Sequence, residues 1–394
     1  MMQPEFLIIG GGAIGLTSAQ ALLQAGYRVT LVERGSTGEE ASWAGGGIMS
    51  PLCSWDYPEA VTRLTQRSMG MFDQAAALLH ATTGIDPEYQ RSGMLLLPPN
   101  VHGEIAGPDE TRHARSPHPN PLPPAGEVAN ESLRESHINQ DERATQWCAQ
   151  HQVELQHVAL GDYLPDMSGQ GLFMPEIGQV RNPRLLRALH RRVEMLGGVI
   201  LEQHEAQQFE FSGERISGLK TSQGRLSADA CIVAAGAWSK TLLGEHALNM
   251  DVRPIRGQIL LFKFDAPPFS QILLQGSLYF IPRADGHVLV GSTLEDVGFD
   301  KSTTNDARDE LLQRVHTLFP DWRNHPPVRQ WAGLRPGSKD NIPTLGRHPH
   351  LTNLYANCGH FRYGVTMSLA CAELLLGEIE GEPQPLPMNE YRWL

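Results

Sequence analysis

The sequence predicts an α/β unit joined to an α+β unit: a Rossmann-like βαβ domain assembled from separated segments, and a second domain built on an antiparallel sheet. Three observations carry this. Residues 6–33 read FLIIGGGAIGLTSAQALLQAGYRVTLVE, a strand, a glycine turn, a helix and a second strand. Residues 252–284 and 287–292 hold IRGQILLFKF, SLYFIPR and HVLVGS, bulky alternating runs of the kind that form a meander. A chain of 394 residues exceeds one ordinary core, and 41% apolar content is enough to fill two.

The first element is the most informative. The apolar run 6–9 is too short for a helix and suits a buried parallel strand. Gly10, Gly12 and Gly15 then fit the spacing G-x-G-x-x-G: one glycine for the tight turn, one for close approach of a pyrophosphate, one for packing helix on strand. Residues 14–25, rich in Ala and Leu, form a helix whose free amides and positive dipole end face the phosphates, and Gly26 ends it. The second strand, 29–32, closes on Glu33, eighteen residues past Gly15, where a carboxylate can accept the hydroxyls of an adenosine ribose and repels a 2′-phosphate. The stretch therefore predicts an adenine dinucleotide and leaves NAD and FAD equally open.

Later segments follow the same logic. ASWAGGGIMSP, residues 41–51, is either a close-approach loop or a flexible surface loop, because glycine clusters serve both ends. A helix is expected over 60–80 and a strand over 89–98. Residues 106–143 contain RSPHPNPLPPAGE, with five prolines and few large apolar side chains, so an extended or disordered insertion without catalytic role is expected. Residues 178–198 place Leu185, Leu186, Leu189, Val193 and Leu196 on one helical face, with arginines opposite and Gly197 as the stop. A strand at 199–201, a hairpin over 209–226 and a buried strand at 230–235 come next, and Gly236 opens a turn suited to lie against the nucleotide. A helix is expected over 308–319, a strand over 354–358, and a helix from Gly364 to about residue 379. The expected division is 1–84, 166–248 and 330–394 for the nucleotide domain, and 85–165 and 249–329 for the second domain.

Composition narrows the function. A net charge of −12 without long single-sign runs lacks the basic footprint of a nucleic-acid or anionic-membrane partner. The five cysteines are scattered with no C-x-x-C pair, so buried free thiols are expected rather than a metal site or disulfides. No apolar run approaches about 18 residues and no leader precedes the first strand, so a cytoplasmic location is expected.

The last third carries the candidate chemistry: Tyr279 in SLYFIPR, Arg335 in WAGLRPGSKD and Arg362 in CGHFRYG. Arg335 follows the apolar, small segment 331–334, where a charged group requires a partner such as a carboxylate.

Together with SWAGGGIMSP, GQVRNP, IVAAGAWS, IRGQ, YFIPR, VGST, WAGLRPGSKDNIPTLGRHP and GHFRYGV, all in family order, these motifs resemble the D-amino acid oxidase superfamily, and within it the glycine oxidases of thiamine biosynthesis. The resemblance implies FAD as cofactor, a small amino-acid or amine substrate, molecular oxygen as acceptor, and a homo-oligomer. It implies Arg335 as the bidentate clamp on the substrate carboxylate, assisted by Tyr279 and Arg362. Ala13, Ile14, Glu33, Arg34, Ala41, Ser42, Gly46, Gly47, Ile48, Val180 and the segment His360, Phe361, Arg362, Tyr363, Gly364, Val365 and Thr366 are implied to hold FAD. At the substrate pocket the resemblance implies that Ser277, Leu294 and Ser50 stand where one glycine oxidase of the family has His, Met and Gly. Two other classes compete: an amino-acid dehydrogenase passing electrons to a quinone or protein, and a non-catalytic flavin-binding scaffold that uses the proline-rich run.

Overall fold

A computed structural model describes residues 5–99 and 140–393. Its first sheet has six strands in the order Thr344–Arg347, Leu354–Cys358, Ala230–Val233, Glu5–Ile9, Arg28–Val32, Val199–Leu201. All neighbours run parallel except the pair Thr344–Arg347 and Leu354–Cys358. The apolar run of the first strand is explained by burial on both faces. Phe6 and Ile8 pack among the helices Ala13–Gln24, Glu59–Thr83, Asn182–Met195 and Gly364–Glu380, while Leu7 and Ile9 pack against Phe209, Ile216 and Leu219 of a small meander. That meander has three strands, Ala206–Ser212, Arg215–Thr221 and Gly224–Leu226, where a single hairpin was expected; an extra turn at Gly213 divides the first part.

The second sheet has eight strands in the order Arg329–Gly337, Arg253–Lys263, His287–Gly291, Leu278–Pro282, Ile272–Gln275, Met94–Leu96, Gln170–Met174, Gln156–Ala159. It is antiparallel except where Ile272–Gln275 runs parallel to Met94–Leu96. Alternation sorts its faces. Phe280, Phe262 and Val290 turn toward the helix Asn305–Leu318 and Trp322, and Tyr279, Ile281 and Ile259 turn to the opposite face. Burying a side chain such as Phe280 outright is worth about 1.5–3 kcal/mol, so this side of the sheet has its own core.

Several expectations are corrected. Residues 89–98 form two strands, Gln90–Arg91 and Met94–Leu96, because Gly93 takes a positive φ between them. The proline-rich segment 106–139 lies outside the described residues, but 140–143, expected to be unstructured, open the helix Gln140–His151, anchored by buried Ala144 and Cys148. Strands Gln170–Met174 and Arg329–Gly337, expected with the nucleotide domain, pair in the eight-stranded sheet. The five cysteines are free and buried. Among the described residues no helix is long and apolar enough to cross a membrane.

Candidate active site

A long cleft runs between the two sheets, lined at one end by Glu33, Arg34 and Trp238 and at the other by Tyr279, Arg335 and Arg362. Two helix amino termini open onto it. At Ala13–Gln24, Gly10 takes φ +111°, and a Cβ there would lie 2.3 Å from Ala234 O, so the turn excludes any side chain. A Cβ on Gly15 would lie 1.8 Å from Gly10 O; this glycine serves the helix-on-strand contact and does not itself line the cleft. The second terminus is that of Gly364–Glu380, preceded by the loop His360–Tyr363 and tied to the opposite wall by Thr366 Oγ1 donating to Ile48 O at 3.1 Å. Their partial positive charges suit an anionic or reducible group.

Most of the expected binding residues meet here. Gly10, Gly12, Ile14, Glu33, Arg34, Ala41, Ser42, Gly46, Gly47, Ile48, Gly236 and the whole segment His360–Thr366 line the cleft. Ala13 and Val180 do not; both support it from behind. Ala13 N–H donates to Ser42 Oγ at 3.0 Å, and Val180 N–H donates to Gly47 O at 2.8 Å. Glu33 lines the cleft, yet its oxygens already accept from the N–H groups of Gly11 at 2.8 Å and Gly35 at 3.0 Å, which fixes the carboxylate in place. Arg34 lies 3.4 Å over the Trp238 ring and pairs with Glu40. Of the three pocket departures only Ser50 lines the cleft; Ser277 faces Arg314 of the helix Asn305–Leu318, and Leu294 is off the wall.

The far end is built by cross-strand register. Arg335 pairs with Ile255, two residues from Gly257. Its guanidinium lies flat against Gly257, where a Cβ would fall 1.9 Å from Nη2 and 2.1 Å from Cζ. It donates to Ser292 Oγ at 2.7 Å, Thr293 O at 3.1 Å and Arg256 O at 3.3 Å. All three acceptors are neutral, and among the described residues Arg335 has no ion pair; the nearby Glu295 is held by Arg256. Burial, reinforced by Arg362, pushes the Arg335 pKa down to about 10, still far above neutrality. Tyr279 pairs with Gly291, one residue from Ser292, and is 6% exposed. Arg362 keeps a buried Nε without an acceptor.

Residues absent from the expected set also line the cleft, namely Gly257, Ser292, Trp238 and Asn182, and Arg283 stands behind it, donating to Gly46 O at 2.7 Å. His360 is nearly fully buried with Nε2 unpartnered, and burial holds its pKa down at about 3. Among the described residues no group of His, Cys, Asp and Glu could hold a metal ion.

These features fit FAD. Side-chain-free glycines border the cleft at Gly10, Gly12 and Gly45–Gly47, two helix termini open onto it, and an acid sits at the ribose position of the fingerprint. At the far end Arg335 has no carboxylate partner among the described residues, and its charge suits an anionic group.

Comparison with known proteins agrees. Residues 5–376 match the family model of the FAD dependent oxidoreductases. A glycine oxidase of Pseudomonas aeruginosa is 35% identical over 387 residues, covering 96% of each chain. The bifunctional protein ThiO/ThiG of Trichormus variabilis is 29% identical, with 98% of this chain matching 54% of that longer one. The crystal structure of glycine oxidase from Geobacillus kaustophilus superposes with a TM-score of 0.84 at 21% identity, covering 100% and 99% of the two chains. L-proline dehydrogenase from P. horikoshii shares the same fold at a TM-score of 0.79 and 18% identity, over 99% and 97%.

Proposed function

The chain belongs to the FAD dependent oxidoreductase family, and from that premise we propose that this FAD-dependent enzyme oxidises the amine of glycine, or of a comparably small amino acid such as sarcosine or a small D-amino acid. The observation that carries the substrate class is the fork of Arg335, half-buried and without an ion pair among the described residues, lining the same cleft as Tyr279. A planar guanidinium held at its back by three neutral acceptors leaves its front for a carboxylate, bound by two parallel charge-assisted hydrogen bonds.

Arg335 would fix the substrate by its carboxylate, Tyr279 would bound its position from the neighbouring strand, and Arg362 would add a second positive charge. Two cations near one amine favour its neutral form, because like charge disfavours the ammonium. The amine is then ready to lose hydride from Cα without a general base, and no carboxylate lines the cleft beside Tyr279, Arg335 and Arg362 among the described residues. FAD, which the glycine loops and the two helix termini lining the cleft would hold, would supply the two-electron acceptor. The product imine hydrolyses to glyoxylate and ammonia, or is passed on to thiazole formation in thiamine biosynthesis, the context that the name ThiO/ThiG suggests. With oxygen as terminal acceptor, hydrogen peroxide is formed.

Anaerobic addition of glycine, sarcosine and D-alanine to the FAD-loaded protein tests this. Bleaching of the flavin is expected with at least one of them, and peroxide on admitting air. A flavin that none of the three bleaches would overturn the substrate class; bleaching without peroxide would move the acceptor from oxygen to a quinone or protein.

A further inference from the structure

Gly45, Gly46 and Gly47 are held from behind, carbonyl by carbonyl. Asn182 Nδ2 donates to Gly45 O at 3.0 Å, Arg283 Nη2 donates to Gly46 O at 2.7 Å, and Val180 N–H donates to Gly47 O at 2.8 Å. These peptides are trans, so C=O and N–H point in opposite directions. Drawing the carbonyls into the protein therefore turns the following amides toward the cleft that these residues line. Neither Gly46 N–H nor Gly47 N–H has an acceptor among the described residues.

Arg283 is the unusual member of this set. It is 4% exposed, has no ion pair among the described residues, and leaves its buried Nε without an acceptor. Its Nη1 donates to the neutral Gln179 Oε1 at 2.8 Å. The nearest carboxylates, Glu88 and Asp285, are taken by Arg181 at 3.1 and 2.9 Å. Burial, with Arg181 adding to it, lowers the Arg283 pKa to about 10. A buried, uncompensated cation is costly, and an apolar side chain of similar volume would fill the space without that cost. Its strongest contact is to one peptide carbonyl, and that peptide lies beside the catalytic end: a Cβ on Gly46 would be 3.3 Å from the Tyr279 ring.

We propose that Arg283 is a positioning residue acting through the Gly46–Gly47 peptide: its charge polarises that amide, so that Gly47 N–H presents a strengthened positive dipole to the flavin ring and favours the reduced, negatively charged cofactor. A charge-assisted hydrogen bond at one end of a peptide strengthens donation at the other, and a dipole fixed in advance stabilises charge as it develops. The inference rests on the reading that FAD lies in this cleft with its ring beside Tyr279.

The test is the midpoint potential of the bound flavin, measured by reductive titration against a reference dye, which needs no amine substrate. Gln179→Glu sets a carboxylate against Arg283 Nη1 and neutralises the field while leaving the Gly46 hydrogen bond in place. The oxidised-to-reduced equilibrium is expected to shift about tenfold toward oxidised, which is about 30 mV for a two-electron couple. Arg283→Gln should shift it likewise, and Arg283→Lys should restore at least half of the loss. A residue that merely supported the loop would weaken FAD affinity or Tm in Arg283→Gln and leave the potential of Gln179→Glu unmoved. FAD-loaded Gln179→Glu with the wild-type midpoint would overturn the proposal. Wild-type protein that holds FAD but is inert to every amine would instead sink the substrate reading and leave this measurement standing.

Discussion

Substituting Gly257 by alanine isolates the geometry of the clamp proposed for Arg335 from its charge. Gly257 lies inside the strand Arg253–Lys263 and lacks a positive φ, so alanine brings no backbone strain. The added methyl would fall 1.9 Å from Arg335 Nη2 and 2.1 Å from both Cζ and Nη1. Non-bonded carbon contacts settle near 3.5 Å, so the guanidinium must withdraw by roughly 1–1.5 Å, and its hydrogen bonds to Ser292 and Thr293 cannot both survive. A misplacement of about 1 Å at a substrate-orienting group costs on the order of a hundredfold in rate. Stopped-flow reduction of the FAD-loaded variant by glycine should therefore show kcat/KM lower by about two orders of magnitude, with the visible flavin spectrum unchanged. A Gly257→Ala enzyme whose kcat/KM stays within about threefold of wild type would refute both the clamp and its dependence on this missing side chain.

The remaining predictions address charge, pH and the segment outside the described residues. Arg335→Ala should lower kcat/KM by about 2–5 kcal/mol, from roughly thirtyfold to several thousandfold, while FAD stays bound; steady-state kinetics with glycine beside the flavin spectrum read both. Because burial holds His360 down at about 3 while the unfolded chain takes up its proton near 6.5, the folded state binds fewer protons below that pH. Stability should thus fall as pH drops from about 6.5 toward 3, by at most about 1.4 kcal/mol per pH unit from this group, and His360→Gln should flatten that slope in urea unfolding of the FAD-loaded protein; parallel slopes for the two proteins would contradict it. Excising residues 106–139 should leave glycine turnover within about threefold, since every residue placed at the site lies elsewhere and loop closure depends only weakly on length; collapse of activity in a folded variant would give the segment a role.

Local chemistry was legible in the sequence where glycine punctuates a buried run. The strand Leu354–Cys358 and the start of the helix at Gly364 fall where the pattern predicts, because an apolar run that ends on glycine leaves little choice of boundary. Arg335 could be singled out because a charge beside small, apolar residues demands a partner, and Tyr279 and Arg362 through the motifs that hold them; the structure brings all three to one cleft. Gly257 and Ser292 could not be singled out, since their role exists only through register: Gly257 faces Gly333 across one ladder and Ser292 follows the Gly291 that faces both Ile259 and Tyr279. Register is set by docking distant strands, and no local pattern encodes it. The parallel pairing of Ile272–Gln275 with Met94–Leu96 was hidden for the same reason. Arg283 was in view inside YFIPR, but its interest lies in the carboxylate it lacks, which only the packed structure reveals.

The same docking explains why Arg335 and the glycine loop of the cofactor cleft cannot move independently. The strand carrying Arg335 is fastened to the loops of the cofactor cleft at several points. Phe361 N–H donates to Pro336 O at 2.9 Å, and Trp331 Nε1 donates to Ala44 O at 3.0 Å. A Cβ on Gly333 would lie 2.4 Å from the Ala44 methyl, so that strand and the short helix Ala41–Ala44 touch without intervening side chain. Arg283 ties the adjacent loop to the strand Leu278–Pro282 through Gly46 O. A shift of the eight-stranded sheet by a fraction of an ångström would therefore carry Arg335, Tyr279 and the glycine loop together, because close-packed contacts transmit displacement. Substitutions at these seams should register in substrate affinity and in the flavin spectrum at once, whereas Gly257→Ala, which moves only the guanidinium, should separate the two.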